Sequence, residues 1–498
     1  MAGPERPVIL LMTTNGWGMG HLSRQLAIAK ALGNRAEPIL LSLSGAVHLA
    51  AGQGIRAEYL PSPSRGWMTA KVWNQYLSGR VLALAAETHA RALVFDGVHP
   101  YRGLIAARRR LPDVAFVWSR RGMWGEGRGD EALETGPEFD LIVEPGDLGQ
   151  AADQGLTVGR SDAIKVPPVT LLDVVEPLPR AEARAALGLD PEARIALVSL
   201  SAGADDPGRL LDGVLEAILA TPEWHLAVIT NPLKGRVDLP RNDRVRSLSE
   251  VYPLVRYLQA FDAGIASAGY NAAHELPLAG VPSLLVANVR SAWDDQIARA
   301  RGIAERGLAL WARDDEPETV KSRARELVSD DTALRLVDAL RELGEVERGG
   351  AVAVADLVVD AGTRSREELS SRRPVAPIED DFPDGPDLVA MISARGKRVM
   401  RFIVRRGKRV VARLLGRVPP ASTFTPKPKF RYVDEPASTA PDAPVPNGTD
   451  QLVLLVTERL TRDVIAGPGP VEQLLSGSSP SYRDRRIAIA RRFFPPAN

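Results

Sequence analysis

The sequence predicts an α/β protein with two doubly wound domains that face a cleft, followed by a tail of different composition. Short apolar runs alternate with helical stretches up to about residue 362, and a proline-rich segment at 166–179 divides this alternation in two. Strands separated by helices form parallel sheets that are covered on both faces. We therefore predict a first domain at 1–170, a second at 171–363 and a tail at 364–498.

The amino-acid composition limits the classes of function that the protein can have. The 498 residues suffice for more than one core, and 45% hydrophobic with 25% charged residues is typical of a soluble globular protein. The 63 basic and 62 acidic residues balance, so we expect no nucleic-acid partner. The absence of cysteine excludes disulfides and thiolate metal sites and fits a reducing compartment. No apolar run approaches the ~20 residues of a spanning helix, so we expect a cytoplasmic protein.

The individual elements follow from periodicity. In the first domain, buried strands are predicted at 8–13, 39–43, 92–95, 114–118 and 141–143, and helices at 21–32 and 69–88. In the second domain, strands are predicted at 195–200, 226–230, 262–266 and 283–286, and helices at 180–187, 209–219 and 271–278. Ligands of such sheets bind beyond the carboxyl ends of the strands, which makes the cleft between the domains the expected site.

The first candidate motif is TNGWGMGHLSR at residues 14–24, between the first strand and the first helix. Its glycines Gly16, Gly18 and Gly20 allow a tight turn and close approach of a ligand to the backbone. Their spacing differs from the dinucleotide fingerprint, and no P-loop lysine follows. His21 at the helix start is either a general base, since its pKa lies near operating pH, or a capping or packing histidine.

Two further first-domain positions follow strands. Asp96 ends a strand at the expected ligand edge, where it either orients His21 or caps the turn at Gly97. Arg120 and Arg121 follow the strand that contains Trp118. They either meet an acidic or phosphate-bearing acceptor or pack on the neighbouring aromatic rings.

The second candidate motif is SAGYNAAHELPLAGVP at residues 267–282. Gly269 precedes a helix whose N-terminus can receive a diphosphate. Glu275 lies about one and a half turns into this helix, where its carboxylate either takes both hydroxyls of a ribose or is solvated. The loop WDDQ at 293–296 offers polar groups for sugar hydroxyls, and SLSAG at 199–203 is a further candidate phosphate cradle.

Together these motifs resemble the GT-B glycosyltransferases, most of all glycosyltransferase family 28, over about residues 6–362. The run Glu275-x4-Gly280-Val281-Pro282 followed by Asp295-Gln296 is similar to the donor-nucleotide motif of that family, and RAEARAALGL at 180–189 is similar to the opening of many GT-B donor domains. The family includes the enzyme that adds N-acetylglucosamine to the peptidoglycan lipid precursor. The sequence departs from the family at Asn271, where serine or threonine is usual.

The resemblance implies two Rossmann-like domains and an inverting transfer of a sugar from a nucleotide-diphosphate donor, expected to be UDP-linked, such as UDP-GlcNAc. The acceptor is expected to be a hydroxyl of a cell-envelope or lipid-linked molecule. No metal or other cofactor is expected, because helix N-termini and glycine-loop amides stabilise the leaving diphosphate. The roles implied are a general base for His21, glycine-loop contacts for Gly18 and Gly20, diphosphate contacts for Ser201, Gly203, Ser267 and Gly269, ribose binding for Glu275, donor-sugar binding for Asp295 and Gln296, and base binding at Leu248.

Two other classes of function stay open on the sequence. One is a relative of the same fold with other chemistry, such as an NDP-sugar 2-epimerase or a glycerophosphotransferase. Residues 451–498 faintly resemble the end of the CDP-glycerol glycerophosphotransferases. The other is a non-catalytic, membrane-associated protein that binds a nucleotide-sugar.

The tail contains one patterned segment between linkers that we expect to be disordered. Residues 395–418 carry ten basic and no acidic side chains, and most of their large apolar residues fall within an arc of roughly 160° on a helical projection. This pattern is typical of a helix that lies on an anionic membrane, here the inner face of the plasma membrane. The alternatives are a helix packed on the protein and a nucleic-acid arm.

Overall fold

The computed structural model describes residues 6–14, 19–63, 68–200, 207–229, 239–249, 251–291, 293–343, 347–364 and 368. The predicted site residues Gly18, Ser201 and Gly203 lie outside the described residues, as do the predicted helix at 395–418 and the terminal segment 451–498. Within the described residues, none of the helices has the combination of length and apolar character that crossing a bilayer requires.

The first of two sheets has seven parallel strands in the order β3-β2-β1-β4-β5-β6-β7 within the described part of the chain. Ile9, Leu10 and Leu11 of β1 have no exposed surface, as expected for a strand covered on both faces. The strands are β1 (Val8–Thr13), β2 (Glu37–Ser42), β3 (Arg56–Tyr59), β4 (Ala90–Asp96), β5 (Ala115–Ser119), β6 (Leu141–Pro145) and β7 (Ile164–Val166).

The second sheet is also parallel and has six described strands in the order β10-β9-β8-β11-β12-β13. These are β8 (Arg194–Ser199), β9 (Trp224–Ile229), β10 (Val245–Leu248), β11 (Ala263–Ser267), β12 (Ser283–Ala287) and β13 (Leu310–Arg313). Together with the first sheet, they confirm the predicted α/β class with two doubly wound units.

Helices cover the faces of both sheets. Around the first sheet lie α1 (Gly20–Leu32), α2 (His48–Ala51), α3 (Ala70–Thr88), α4 (Arg102–Arg110) and α5 (Asp130–Leu133). The others are α6 (Arg180–Leu187), α7 (Pro207–Leu219), α8 (Tyr270–Leu278), α9 (Gln296–Glu305), α10 (Pro317–Leu327), α11 (Asp330–Leu343) and α12 (Gly350–Thr363). The side chain of Thr69 caps α3 by accepting a hydrogen bond from the backbone N–H of Val72.

Strand order creates one switch point in each sheet. The chain runs outward from β1 through β2 to β3 and then returns to place β4 on the other side of β1. In the register of β1 and β4, Thr13 lies opposite Asp96, so both strands end at the same edge. In the second sheet β8 and β11 take the corresponding positions, with Ser199 opposite Ala266. Ligands of doubly wound sheets bind at such points.

The segment between the domains is more ordered than a plain extended linker. Leu171–Asp173 forms a short 3-10 helix with a capping box between Thr170 and Asp173. The carboxylate of Asp173 also accepts hydrogen bonds from the backbone N–H groups of Gly349, at 3.0 Å, and Ala351, at 2.8 Å. The segment thereby fixes the start of α12 as well as the passage between the sheets.

The last described helix returns to the first domain. Helix α12 packs against α1 and β4, with Gly362 close to Ile9 and Ala92. The guanidinium of Arg91 donates a hydrogen bond to the carbonyl of Arg364 at 2.8 Å. Residues 350–363, which the predicted boundaries assign to the second domain, therefore pack on the first sheet, because the buried face of this apolar helix fits that surface.

Two glycines allow the backbones of the domains to meet. A Cβ atom at Gly302 in α9 would lie 2.5 Å from the carbonyl oxygen of Gly149, which follows β6 in the first domain. A Cβ atom at Gly149 would in turn collide with the carbonyl of Arg299. This contact leaves no room for a side chain on either surface.

We expect Gly302→Ala to destabilise the protein by about 1–3 kcal/mol, because the added methyl group overpacks the contact between the domains. The matched control is Gly79→Ala in the exposed middle of α3, where nothing lies within 4 Å of the new Cβ atom. That variant should gain about 0.5–1 kcal/mol through helix propensity. Urea unfolding monitored by circular dichroism measures both, and two changes of the same sign would contradict the assignment.

Candidate active site

His21 and Asp96 meet at the switch point of the first sheet. His21 is the second residue of α1, and Asp96 ends β4. The Nδ1 atom of His21 lies 3.1 Å from Oδ1 of Asp96. The imidazole side chain keeps 20% of its surface exposed, whereas Asp96 is buried. Met19 occupies the N-cap of α1, so His21 does not cap this helix, and the orienting role of Asp96 stays a prediction.

Arg24 binds the same carboxylate from the next turn of α1. Its Nε and Nη2 atoms donate to the two oxygens of Asp96, each at 2.9 Å, and Nη2 also lies 2.8 Å from Nδ1 of His21. Residues three apart on a helix share a face, which brings Arg24 beside His21. Burial alone would raise the pKa of Asp96, but the charges of Arg24 and His21 hold it well below its usual range.

The pKa of His21 is lowered from its ordinary value. Burial is the largest cause, and the positive charges of Arg24 and Arg121 add to it, while Asp96 acts in the opposite direction. The imidazole is therefore neutral at neutral pH. A neutral imidazole is the form that can accept a proton.

The N-terminus of α8 faces the start of α1 across the domain boundary. Gly269 is the N-cap of α8, in extended conformation, and a Cβ atom there would meet nothing within 4 Å. Asn271 in the first turn places its Oδ1 atom 3.5 Å from Nη1 of Arg24. Ser267 ends β11 just before this turn. Four predicted residues, Gly20, His21, Ser267 and Gly269, thus belong to two helix starts that face each other.

A buried tyrosine lies at the centre of this boundary. The Tyr270 hydroxyl donates to the carbonyl of Gly146 at 2.9 Å and accepts from the backbone N–H of Val169 at 3.1 Å. Burial raises its pKa, so the hydroxyl stays protonated. Its ring is surrounded by guanidinium carbons of both domains, at 5.0, 5.4 and 5.7 Å from the ring centroid for Arg24, Arg121 and Arg299.

Each of these three arginines has an aspartate partner. Arg121 contacts Asp294 at 3.0 Å, and Arg299 contacts Asp294 and Asp147 at 2.7 Å each. Burial raises the pKa of both aspartates, but Arg299, together with His274 at Asp147 and with Arg121 at Asp294, keeps each pKa below its usual range. Tyr270, the three arginines and the aspartates Asp96, Asp147 and Asp294 are called the interdomain charge cluster below.

The two arginines predicted to meet an acceptor separate in the structure. Arg120 has no exposed side-chain surface, contacts Asp162 at 2.8 Å and lies over the ring of Trp118. Its position matches the alternative of packing on an aromatic ring. Arg121, in contrast, points toward the second domain and belongs to the interdomain charge cluster.

Glu275 is directed toward the segment between the domains. Its carboxylate accepts a hydrogen bond from the backbone of Leu171, while its Oε1 atom is buried without a hydrogen-bond partner. Burial raises the pKa of Glu275 to about 7, and nearby Asp173 adds to the rise. The Glu275 carboxyl is therefore not fully solvated, and its contact with a donor ribose stays a prediction.

The remaining predicted donor residues lie at strand and helix ends. Asp295 is the N-cap of α9 and accepts from the backbone N–H of Ala298 at 2.9 Å. The side chain of Gln296 accepts from the backbone N–H of Asn288 at 3.1 Å and lies 3.4 Å from Asp294. Leu248, which ends β10, is buried. Their proposed contacts with a donor stay predictions.

Sequence reasoning missed most of the interdomain charge cluster. Arg24 stood in a quoted motif, and its spacing from His21 could have identified it. Arg299 and Asp147 carried no such signal, because they lie in different domains and meet only in three dimensions. Among the residues that the structure describes, no three His, Asp or Glu side chains gather in a way that could hold a metal ion.

Comparison with known proteins agrees with this architecture. Phytolacca americana UGT2, solved in complex with UDP-2fluoro-glucose and pterostilbene, matches with a TM-score of 0.52 at 15% identity, over 72% of this chain and 99% of that chain. No family model matches the sequence. The structural match confirms the GT-B fold, with its two Rossmann-like domains.

Curated relatives make the resemblance more specific. Over 118 residues, or 23% of this chain, the sequence is 34% identical to the UDP-N-acetylglucosamine--N-acetylmuramyl-(pentapeptide) pyrophosphoryl-undecaprenol N-acetylglucosamine transferase of Synechococcus elongatus. The protein of the same name from a second Synechococcus strain matches equally. The chain spans about a third of the length of these relatives, 32%. These matches confirm the predicted resemblance to glycosyltransferase family 28 over the 118 matched residues.

The buried carboxyl of Glu275 predicts a pH-dependent stability. Its pKa is about 7 in the folded chain, against an ordinary value of 4.5, so the folded state binds the proton more tightly. The charged form is therefore unfavourable in the fold, and stability is lost as pH rises from about 4.5 through 7, at roughly 1.4 kcal/mol per unit of pKa shift.

In Glu275→Gln this loss should be absent, which urea unfolding at pH 5 and pH 8 measures. Glu182→Gln in the first turn of α6 is a matched control that should retain the wild-type pH dependence. Equal pH dependence in wild type and Glu275→Gln would show that Glu275 ionises normally.

Proposed function

We propose that the protein is an inverting glycosyltransferase that moves a sugar from a nucleotide-diphosphate donor to an acceptor hydroxyl. The observation that carries this proposal is the position of the His21–Asp96 pair at the switch point of one sheet, opposite the open N-terminus of α8 at the switch point of the other. This arrangement offers a proton acceptor and an anion-binding helix end on the two sides of one cleft.

The second domain is proposed to bind the donor. The N-terminus of α8 carries unpaired backbone N–H groups and partial positive charge, which suit a diphosphate. Nothing lies within 4 Å of the Cβ position at Gly269, so a phosphate oxygen can approach the backbone there. The similarity to relatives named as UDP-N-acetylglucosamine-dependent transferases supports a UDP-linked sugar, and UDP-GlcNAc is the first candidate.

The first domain is proposed to activate the acceptor. With a proton on Nδ1 donated to Asp96, His21 presents the lone pair of Nε2. This nitrogen accepts the proton of the acceptor hydroxyl as the oxygen bonds to the anomeric carbon and the bond to the nucleotide diphosphate breaks. Attack opposite to the leaving group inverts the anomeric centre. The helix N-terminus stabilises the charge of the departing diphosphate without a metal ion.

The acceptor is proposed to be a lipid-linked or cell-envelope molecule. The curated relatives are named for a pyrophosphoryl-undecaprenol acceptor, which supports this class. The basic, amphipathic segment 395–418 supports it independently, since an enzyme that acts on a lipid-linked acceptor works at an anionic membrane surface.

We expect His21→Ala to lower the rate of sugar transfer by about 10²–10⁴-fold, because general base catalysis contributes roughly that much. Donor binding should be unchanged, since the diphosphate is proposed to bind to the other domain. Transfer from a panel of UDP-sugars, with a lipid-linked acceptor, measures the rate, and thermal shift with UDP measures binding.

The matched control is His225→Ala in β9, at the amino end of its strand and away from the cleft. It should transfer at the wild-type rate. Full transfer by His21→Ala would reject the base assignment. Turnover of the UDP-sugar by the wild type without any acceptor would instead favour epimerase chemistry.

We also propose that residues 395–418 hold the protein on anionic membranes. Deletion of residues 388–420 should abolish co-sedimentation with phosphatidylglycerol liposomes, because it removes ten basic side chains and the apolar face. Deletion of the uncharged part of the following linker, residues 436–440, is the control and should leave binding intact. Equal binding by both deletion variants would reject the anchor.

A further inference from the structure

Arg24 has no part in the transfer step described above, yet it contacts both His21 and the Asp96 carboxylate that His21 faces. The side chain is 2% exposed. Its forked contact with Asp96 satisfies both oxygens of that carboxylate, each at 2.9 Å. The same Nη2 atom that binds Asp96 lies 2.8 Å from Nδ1 of His21. Bidentate pairing of this kind fixes both orientation and charge.

Arg24 and Asp96 compete for one nitrogen. When Nδ1 carries the ring proton, it donates to Asp96, and Nε2 is free to accept a proton. When Nδ1 is unprotonated, it accepts from Arg24, and the ring proton lies on Nε2. The distances of 3.1 Å to Asp96 and 2.8 Å to Arg24 allow either bond. Arg24 therefore affects which nitrogen is basic as well as the charge of the ring.

We propose that Arg24 is a positioning residue for His21, which holds Asp96 in place and keeps the imidazole neutral by its charge. This inference rests on the proposed function, in which neutral His21 is the base. Asp96 and Arg24 already neutralise each other, so a proton on His21 would add an unpaired charge to a buried group. Arg121, the other charged group that faces His21, is also positive and is itself paired with Asp294.

Arg24 also joins this arrangement to the second domain. Its Nη1 atom lies 3.5 Å from Oδ1 of Asn271, and its guanidinium carbon lies 5.0 Å from the Tyr270 ring centroid. Both residues belong to the first turn of α8, the proposed diphosphate site. The state of His21 is therefore coupled to the position of the domain that is proposed to hold the donor.

The test is the titration of His21 in the full-length protein, followed by NMR of ¹⁵N-labelled imidazole nitrogens. The chain has six histidines, and the spectrum of His21→Gln identifies the His21 signal. We expect Arg24→Gln to raise the pKa of His21 by about 1 unit or more, since it removes a positive charge that touches the ring and leaves Asp96 uncompensated. Asp96→Asn should lower the pKa instead.

Arg184→Gln is the matched control. Arg184 is as buried as Arg24 and pairs with Asp262, but it lies in α6 of the second domain. It should destabilise the fold without moving the His21 titration. An unchanged His21 pKa in folded Arg24→Gln, or an equal shift in Arg184→Gln, overturns the proposal.

If Arg24→Gln does not fold, Arg24→Lys provides the same test through the tautomer. Lysine keeps the charge but cannot bind both Asp96 oxygens and Nδ1 in one plane. The ¹⁵N shift of Nδ1 should then change, and an unchanged shift overturns the proposal.

Kinetics separate this proposal from the proposed function. In Arg24→Gln the acidic limb of the kcat/KM profile should move to higher pH, together with the pKa of His21. If His21→Ala transfers normally but Arg24→Gln still shifts the titration, the base role fails and the coupling stands. If His21→Ala is inactive and the titration does not move, the base role stands and the coupling fails.

Discussion

The need to pair buried charges governs how the two domains meet. Arg24, Arg121 and Arg299 surround one tyrosine ring, and Asp96, Asp147 and Asp294 balance them. Removing one member of a buried pair costs about 3–5 kcal/mol, because its partner keeps its charge without water. Since these residues come from both domains, the ionic pairing requires that the two sheets keep one relative orientation. The close contact of Gly149 with Gly302 restricts the relative orientation of the two sheets by steric exclusion.

The candidate site derives its chemistry from this constraint. His21 lies at the solvent-facing end of the interdomain charge cluster, and its neutral state follows from charges that also hold the domains together. The His274 ring also joins the two domains, since its Nε2 atom accepts a hydrogen bond from the backbone N–H of Leu148 at 3.0 Å. One set of contacts therefore both positions the proposed base and fixes how the two domains meet.

The fold was predictable where strands are buried on both faces. The predicted runs at 8–13 and 283–286 fall within β1 and β12, because central parallel strands read as continuous apolar segments. Among the described strands, β3, β7, β10 and β13 were missed, and these are the edge strands of both sheets. Edge strands are short and half exposed, so their sequences lack a continuous apolar pattern; Arg56–Tyr59, for example, has one buried residue.

The site residues at strand ends were predictable from the sequence, whereas those brought together by the domain arrangement were not. His21, Asp96 and Gly269 lie at or just after the carboxyl ends of strands, so the topology of a doubly wound sheet locates them in advance. Arg299 and Asp147 are separated by 152 positions along the chain and come together only through the arrangement of the domains, which no local sequence pattern encodes.

The return of α12 to the first sheet has a mechanical consequence. Chain that continues past Arg364 departs beside Arg91, at the amino end of β4. A membrane tether there would hold the proposed acceptor domain at the membrane surface, and the interdomain charge cluster would keep the proposed donor domain in a fixed orientation beside it.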